Sequence, residues 1–588
     1  MKLIFGKKLN KFQAIGVAAI VLLLSSCASP YNMHSPITKE TVVKPEEGIV
    51  VARIIDASGS WLPFNELTLN PENVNQSKKI KPDKLVSLTP QINGVTVFAS
   101  ALKAGNYALD DLSASYRRGD YSYWRFIPVS AQFGTFTVKP GEITDLGTLI
   151  YYPKPKGEMF LHSVVRLPSA DLEKAINRFF PFYDFNAEKV NTWADDGKDD
   201  ERFELYANIA QNPTTFGTRY KSPDNGVYFL AKLGVIVHRS SLGEWAIDAV
   251  DTNYQLNTVA ENAAGDLVVG GPEGVLFIKQ RGKEWQNHSF DKPVNVLKAT
   301  FNQQGQLDVL IAEDLEMIVL RAQGQLDAPQ WEEVNRYNHR DKWKNNDAQV
   351  TEEKTGKKKV ARKKLITHVR LHEEAGKHLV SINYVSRLSD AIFSNGDVET
   401  FEYNPTTWVA SEEAIETKWE VMFTSGAAKM ALEKAGFWSL NWRSDYFKYD
   451  PTVKEWIEIT DEVFKCGDKI VRPDFVCDVE GKKTNGDWIS FNSAPWFKND
   501  KEGIAIVTFN DTDFWTGKTK KEIKVLVTDD GGKVWLDSGN TVPKPYCKDV
   551  VSEIKDALVV SCDGATGDFY QSEDFGKTWK LVRQHANF

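Results

Sequence analysis

From Gly48 onward the chain alternates short apolar runs with polar breaks rich in Gly, Asn, Asp and Pro. GIVVARIID, GVTVFASAL, NYALDDLSASY, WRFIPVSA, GTFTVKPGE and DLGTLIYY each concentrate β-branched or aromatic residues between such breaks, which is the pattern of strands. Together they predict a small β-sandwich over 48–153. The pattern changes over 154–199. There SADLEKAINRFFPFY offers Ser169 as an N-cap, a helix of about ten residues, and Pro181 as its stop. This stretch reads as a partly helical connector.

Beyond about residue 200 one unit recurs: a strand, a polar turn, and a Trp that starts another strand. Its copies are GVIVHRSSLGEW, GVLFIKQRGKEW, EMIVLRAQGQLDAPQW, DAIFSNGDVETFEYNPTTW, DYFKYDPTVKEW, KVLVTDDGGKVW and DFYQSEDFGKTW. They end at Trp245, Trp285, Trp331, Trp408, Trp456, Trp535 and Trp579, in steps of 40, 46, 77, 48, 79 and 44 residues. Four of these steps match one four-stranded propeller blade. The first long step contains NHRDKWKNNDAQVTEEKTGKKKVARKK, a charged stretch without apolar periodicity, which reads as an insertion at about 338–364. The second contains the Cys466 to Cys477 segment and NSAPWFKNDKEG. The expected architecture is all-β: the sandwich, then a propeller over 200–588 with seven blades, or six or eight if a long step hides or breaks a repeat.

Two of the turns carry more than a Trp. VTDDGGKVWL and QSEDFGKTWK share Ser/Thr, Asp, Gly and Trp at fixed spacing: Thr528, Asp530, Gly532 and Trp535, then Ser572, Asp574, Gly576 and Trp579, with Thr578 beside the last. A short carboxylate accepts bonds from the backbone N–H groups that follow it, Gly supplies positive φ, and Trp re-enters the apolar layer. The motif resembles the Asp-box, or bacterial neuraminidase repeat. Proteins with this box include sialidases and other glycosidases, sortilin-type receptors and photosystem assembly factors, so the resemblance implies a propeller and leaves activity open. It also implies that Asp530 and Asp574 are structural.

The leader adds a location. MKLIFGKKLNKFQAIGVAAIVLLLSSCASP has a basic start, an apolar run from Ala14 to Leu24, and small residues up to Cys27. LSSC resembles the bacterial lipobox. The resemblance implies a signal peptide over 1–26, lipid attachment at Cys27, a membrane held through acyl chains, and a tether over 27–47. Ala28 replaces the Asp that favours inner-membrane retention, so the outer membrane is the expected location, facing the periplasm or the cell surface. Cys466, Cys477, Cys547 and Cys562 remain, and three pairings are possible. Local folding at Arg472-Pro473-Asp474 and near Lys555-Asp556 favours Cys466 with Cys477 and Cys547 with Cys562, each bridge stabilising by about 2–4 kcal/mol.

Composition narrows the function classes. The 588 residues are 42% hydrophobic and 12% aromatic with 17 Trp, enough for several cores of short strands. Lys and Arg number 72 against 80 Asp and Glu, for a net charge of -8, which gives no support to nucleic-acid binding. The local exception is KTGKKKVARKK, where Lys357, Lys358 and Lys359 form either a solvated loop or a contact for anionic headgroups or an acidic partner.

No catalytic set, cofactor fingerprint or metal-ligand spacing stands out. His368, His372 and His378 lack the HExxH arrangement and read as a hairpin, with Gly376 at its tip. VVRLPSAD resembles the Arg-Ile/Leu-Pro signature before sialidase propellers, which would give Arg166 a role in gripping a substrate carboxylate; by the residues alone it is an exposed Arg before a helix cap. LKAGNYALDDL and FTVKPGEITDLGTLIY resemble prealbumin-like sandwich modules, which act as spacers or binding units. The expected function is a lipid-anchored envelope scaffold for a protein or glycan partner, without a cofactor. The alternative is a surface glycosidase of the sialidase kind, which needs an arginine cluster and a carboxylate pair on the central face.

Overall fold

A computed structural model describes residues 30–583 apart from 59–62, 73–80, 88–94, 119–120, 130–132, 157–158, 168–171, 181, 184–185, 194–215, 293, 314, 339–349, 352–357, 360–362, 375–376, 388–394, 415–422, 426–427, 433–443, 451–454, 459–463, 467–468, 472–487, 513–515, 517–518, 546, 552–553, 555 and 563–567.

EGIVVARIID forms the strand Glu47–Asp56, and its near-continuous apolar run is explained by burial on both faces. Val50, Ala52 and Ile54 enter the sandwich core with Phe64, Leu67, Leu109, Leu112 and Ile127. Ile49 and Val51 point the other way and pack under the helix α1, Leu172–Phe179, through Leu172, Ile176 and the following Phe180. The i, i+4, i+8 spacing of these three residues places them on one side of the helix. One sheet runs Asn32–His34, Asp83–Val86, Glu66–Pro71, Gly105–Arg118, Tyr121–Pro128, with Thr135–Val138 also on Gly105–Arg118. The facing sheet runs Met159–Leu167, Ile143–Lys156, Glu47–Asp56, Val95–Lys103, with Val190–Thr192 also on Ile143–Lys156.

The sandwich therefore extends past the segment 48–153 in both directions. Asn32–His34 pairs in parallel with Asp83–Val86, and His34 Nε2 lies 2.8 Å from Asp83. Trp193 belongs to the core, its indole N–H donating to the Thr135 carbonyl at 3.0 Å and its ring lying 5.2 Å from that of Phe136.

Beyond 215 the described chain builds seven antiparallel sheets of three or more strands in succession. The first is Phe216–Lys221, Val227–Ala231, Val235–Arg239 and Trp245–Ala249; the second Thr258–Glu261, Leu267–Gly270, Leu276–Lys279 and Gln286–Asn287; the third Asn295–Phe301, Leu307–Glu313, Glu316–Gln323 and Gln330–Asn338. The fourth has Lys363–Glu374, Lys377–Arg387 and Asn395–Glu402, and the fifth Phe423–Ser425, Ala428–Leu432, Ser444–Asp450 and Glu455–Glu458. The sixth joins Trp488–Phe491, Gly503–Thr512, Thr519–Thr528 and Val534–Asp537, with the hairpin Phe464–Cys466 and Lys469–Val471 added at Val534–Asp537. The seventh is Cys547–Val550, Leu558–Cys562, Phe569–Ser572 and Lys580–Arg583.

This is a propeller, and each propeller core among the described residues lies between two sheets. Leu230 and Ile236 of the first sheet pack on Val259 and Phe277 of the second. Ile278 of the second packs on Val309 of the third, and Met317 of the third on Val380 of the fourth. Ile506 and Val525 of the sixth pack on Val560 of the seventh. The ring closes where Val559 and Phe569 of the seventh meet Phe229 and Val237 of the first, the two Phe rings 5.3 Å apart. Removing these side chains from water contributes roughly 1.5–3 kcal/mol each.

The sandwich rests on the first sheet and on the segment that leads to the second. Leu233, at 1% exposure, joins Ile55, Val95, Ile150 and Tyr152 of the sandwich, with Tyr254 beside it. Lys232 Nζ donates to the carbonyls of Asp56 and Ser58 at 2.5 and 2.7 Å. The turn that presents Leu233 and Lys232 requires Gly234 at φ +69°, where a Cβ would lie 2.2 Å from the Val250 carbonyl oxygen.

Candidate functional sites on the sandwich edge and the first strands of the propeller sheets

In both Asp boxes the carboxylate closes a turn. Asp530 Oδ1 accepts from the N–H groups of Lys533 and Val534 at 3.0 Å each and from the Thr528 hydroxyl at 2.8 Å. Asp574 Oδ1 accepts from Ser572 at 2.9 Å and Thr578 N–H at 2.8 Å, while its Oδ2 takes the Thr578 hydroxyl at 2.6 Å. These bonds, chiefly those from Thr578, bring the Asp574 carboxyl down to about 2. Gly532 and Gly576 donate back to the Thr528 and Ser572 hydroxyls at 3.0 and 2.8 Å. Each carboxylate is engaged with its own turn.

A second turn device escaped the sequence reading. Asn262 accepts the N–H groups of Ala264 and Asp266, Asn302 those of Gln304 and Gln306, and Asn499 those of Lys501 and Glu502. It closes the turns between the first two strands of the second and third sheets and precedes Gly503–Thr512 in the sixth. The signal was present, since ENAAGDL and FNQQGQL share Asn, Gly and Leu at one spacing.

The Trp residues separate into two groups. Trp245, Trp331 and Trp456 lie in the outermost strands of their sheets, Trp285 and Trp579 immediately precede theirs, and Trp535 lies in Val534–Asp537, which the hairpin ending at Lys469–Val471 covers. Trp408 departs from the repeat: it starts no strand, sits at φ +60° in the turn after Asn395–Glu402, and is 2% exposed. Its indole N–H donates to Asp308 at 2.8 Å, and its carbonyl accepts from Asn335 and Tyr337. It plugs the third sheet against the fourth.

Cys547 and Cys562 form a disulfide across paired strands of the seventh sheet. Cys466 ends the strand Phe464–Cys466, while Cys477, Cys27 and Lys357 lie outside the described residues. Lys358–Lys359 pairs with Val350–Thr351 in a short hairpin within the insertion. His368 and His372 lie on Lys363–Glu374 and His378 on the returning strand, the hairpin read from the sequence. Arg166 contradicts its reading as an exposed residue: it is 4% exposed in the strand Met159–Leu167, with its guanidinium 4.8 Å from the Trp193 ring centre. It belongs to the sandwich core.

Two features were not foreseen. The strand Tyr121–Pro128 ends its sheet, and Trp124 is 77% and Phe126 51% exposed on one face of it. Val129 N–H donates inward to Asp110 at 2.8 Å, so odd-numbered residues bond the neighbouring strand and Ser122, Trp124 and Phe126 direct their backbone groups outward. Among the described residues, no strand covers that edge. YSYWRFIP, aromatic or apolar on both faces, was the available signal.

The other feature lies on the first strands of the propeller sheets. Register shifts at Phe216/Arg219, Val296/Lys298, Ile366/His368 and Cys547/Asp549 interrupt four of them. A bulge re-aims the side chain beside it. Lys298, on the third sheet, reaches past the second and places its ammonium 4.4 Å from the ring centre of Tyr220 on the first. Burial brings the Lys298 ammonium down to about 8, and burial followed by the charges of Lys298 and Arg370 lowers His368. The signal was a lone Lys within the apolar run VLKATF.

No family model and no curated protein matches this chain. Solved structures do show likenesses. YCF48 bound to D1 peptide matches at 12% identity and TM-score 0.31, over 61% of this chain and 93% of that one. BamB from Moraxella catarrhalis matches at 11% identity and TM-score 0.24, over 58% and 92%. A protein from Lactobacillus plantarum matches at 10% identity and TM-score 0.29, over 63% and 94%. The propeller assignment rests on the sheet order and on the cores shared between successive sheets among the described residues.

Proposed function

We propose that this protein is a lipid-anchored binding scaffold of the bacterial outer membrane, attached through Cys27 and presenting its sandwich and propeller to an envelope partner. The open edge at Tyr121–Pro128 supports a polypeptide partner more than a glycan. Alternating outward N–H and C=O groups along a strand are complementary to an extended peptide, and the adjacent Trp124 and Phe126 supply the aromatic anchors that such contacts use. No helix among the described residues is long and apolar enough to cross a membrane. LSSC supplies the anchor in this reading.

Two experiments test the two halves. Cys27→Ser abolishes palmitate labelling and releases the protein from the membrane fraction; continued retention without label refutes lipid anchoring. A photo-crosslinker placed at Trp124 in intact envelopes yields adducts that map to one extended segment of a partner. Ser122→Pro, which removes an outward N–H without touching the inner ladder, abolishes capture while the melting temperature is kept. Undiminished capture by Ser122→Pro refutes strand addition.

A further inference from the structure

The edge strand Tyr121–Pro128 offers two different faces to a strand that adds to it. On the outer face Trp124 and Phe126 stand exposed two residues apart, and Pro128, also exposed, follows them. On the inner face Ile127 enters the sandwich core, and the Arg125 guanidinium lies 4.4 Å from the ring centre of Phe64 and 4.5 Å from that of Tyr151. Arg125 donates to Asp56 and, at 3.1 Å, to the Ser58 hydroxyl, which itself donates to Asp56. The Tyr151 hydroxyl lies 2.9 Å from His162 Nδ1. The outer rim of this edge is aromatic, whereas the inner rim is polar and its cation is already paired.

Backbone groups limit the register. Ser122, Trp124 and Phe126 direct their N–H and C=O groups away from the sheet, and Pro128, next in that series, has no N–H to offer. Side chains directly opposite one another on paired strands lie about 4.5–5.5 Å apart at Cβ, so residues of an added strand that face Trp124 and Phe126 touch those rings, and the residue between them stands beside Arg125. An apolar side chain at that middle position would seal the Arg125–Asp56 pair from water without bonding to it, and a charged one would meet a group of its own sign. Resting on strand addition at this edge, we infer that the segment taken is amphipathic: two apolar side chains at alternate positions lie against Trp124 and Phe126, with an uncharged polar side chain between them. A second copy of this strand does not fit, because the register that pairs Trp124 with Phe126 in both directions sets one Arg125 opposite the other.

The test uses the full purified chain and short fluorescein-labelled peptides with Lys at both ends, read by fluorescence anisotropy. One peptide alternates Thr with Val, a second has the same residues ordered so that no two Val stand two apart, and a third alternates Glu with Val. The first binds about ten-fold tighter than the second, the gain expected of two cross-strand contacts with aromatic rings, and the third binds no better than the second. Trp124→Ser with Phe126→Ser, both at exposed positions, removes the preference while the melting temperature is kept. Equal binding of the first two peptides, or none, overturns the amphipathic pattern, as does a preference that survives the double variant. In either case envelope adducts from position 124 that are lost on Ser122→Pro leave strand addition standing. Adducts indifferent to Ser122→Pro remove strand addition and this inference with it, and adducts that map to Tyr121–Pro128 of a second copy overturn the inference alone.

Discussion

Asp308 and Asp574 are both hydrogen-bonded carboxylates of the propeller, and they do different work. Asp308 has no exposed surface; Arg321 holds it by two bonds at 2.7 and 2.9 Å, and the Trp408 indole supplies a third at 2.8 Å. Its partners come from two sheets. Asp574 sits at the surface, and its bonds go to residues of its own turn. The first carboxylate joins two sheets and the second shapes one hairpin. A charge removed from water depends on its partners far more than one that can turn back to solvent.

That contrast predicts a descending series of losses under chemical denaturation. Trp408→Ala opens a cavity between the third and fourth sheets and removes the third hydrogen bond to Asp308, at about 3–5 kcal/mol. Asp308→Ala leaves the Arg321 guanidinium without its carboxylate and costs about 3–5 kcal/mol; Asp308→Asn with Arg321→Met recovers part of it, because removing both charges avoids the orphan. A double variant that recovers nothing shows that packing around Trp408, rather than charge pairing, holds this seam. Cys547→Ser with Cys562→Ser costs about 2–4 kcal/mol. Asp530→Ala removes a turn closure and costs about 1–2 kcal/mol.

Asp574→Ala gives the smallest loss, and its pH dependence identifies the cause. The folded carboxyl titrates at about 2 against an ordinary 3.8. Its contribution is therefore fully present above 3.8 and disappears as pH falls through about 2. The difference in melting temperature between wild type and Asp574→Ala stays constant from neutral pH down to that window and then closes. A difference that closes near neutrality contradicts the turn-closing role.

Much of this fold was legible because it depends on neighbours close in the chain. The Trp-ended hairpins, the boxes at Asp530 and Asp574, and the pairing of Cys547 with Cys562 all use bonds or contacts across a single hairpin. Glu66–Pro71 and Asp83–Val86 were missed because ELTLNP and DKLV are short and half polar. Met159–Leu167 was hidden in a stretch that reads as a connector. Lys298 could be seen as an odd residue in an apolar run, but nothing nearby revealed the Val296/Lys298 bulge that aims it inward. Trp124 and Phe126 read as ordinary strand aromatics until their sheet ended beside them.

By itself, then, the sequence determined strand periodicity and turn chemistry and favoured the local disulfide among three pairings, because period and turn geometry are set by steric and hydrogen-bonding demands over a few consecutive residues. The tertiary structure alone decided that Trp408 would find Asp308, one hundred residues earlier, instead of starting a strand. It also decided that Phe569 would close the ring on Phe229 and that Lys298 would meet Tyr220 across an intervening sheet. Those contacts depend on how successive sheets rotate around a shared axis, and the favourable burial they achieve exists only once the ring brings distant strands together.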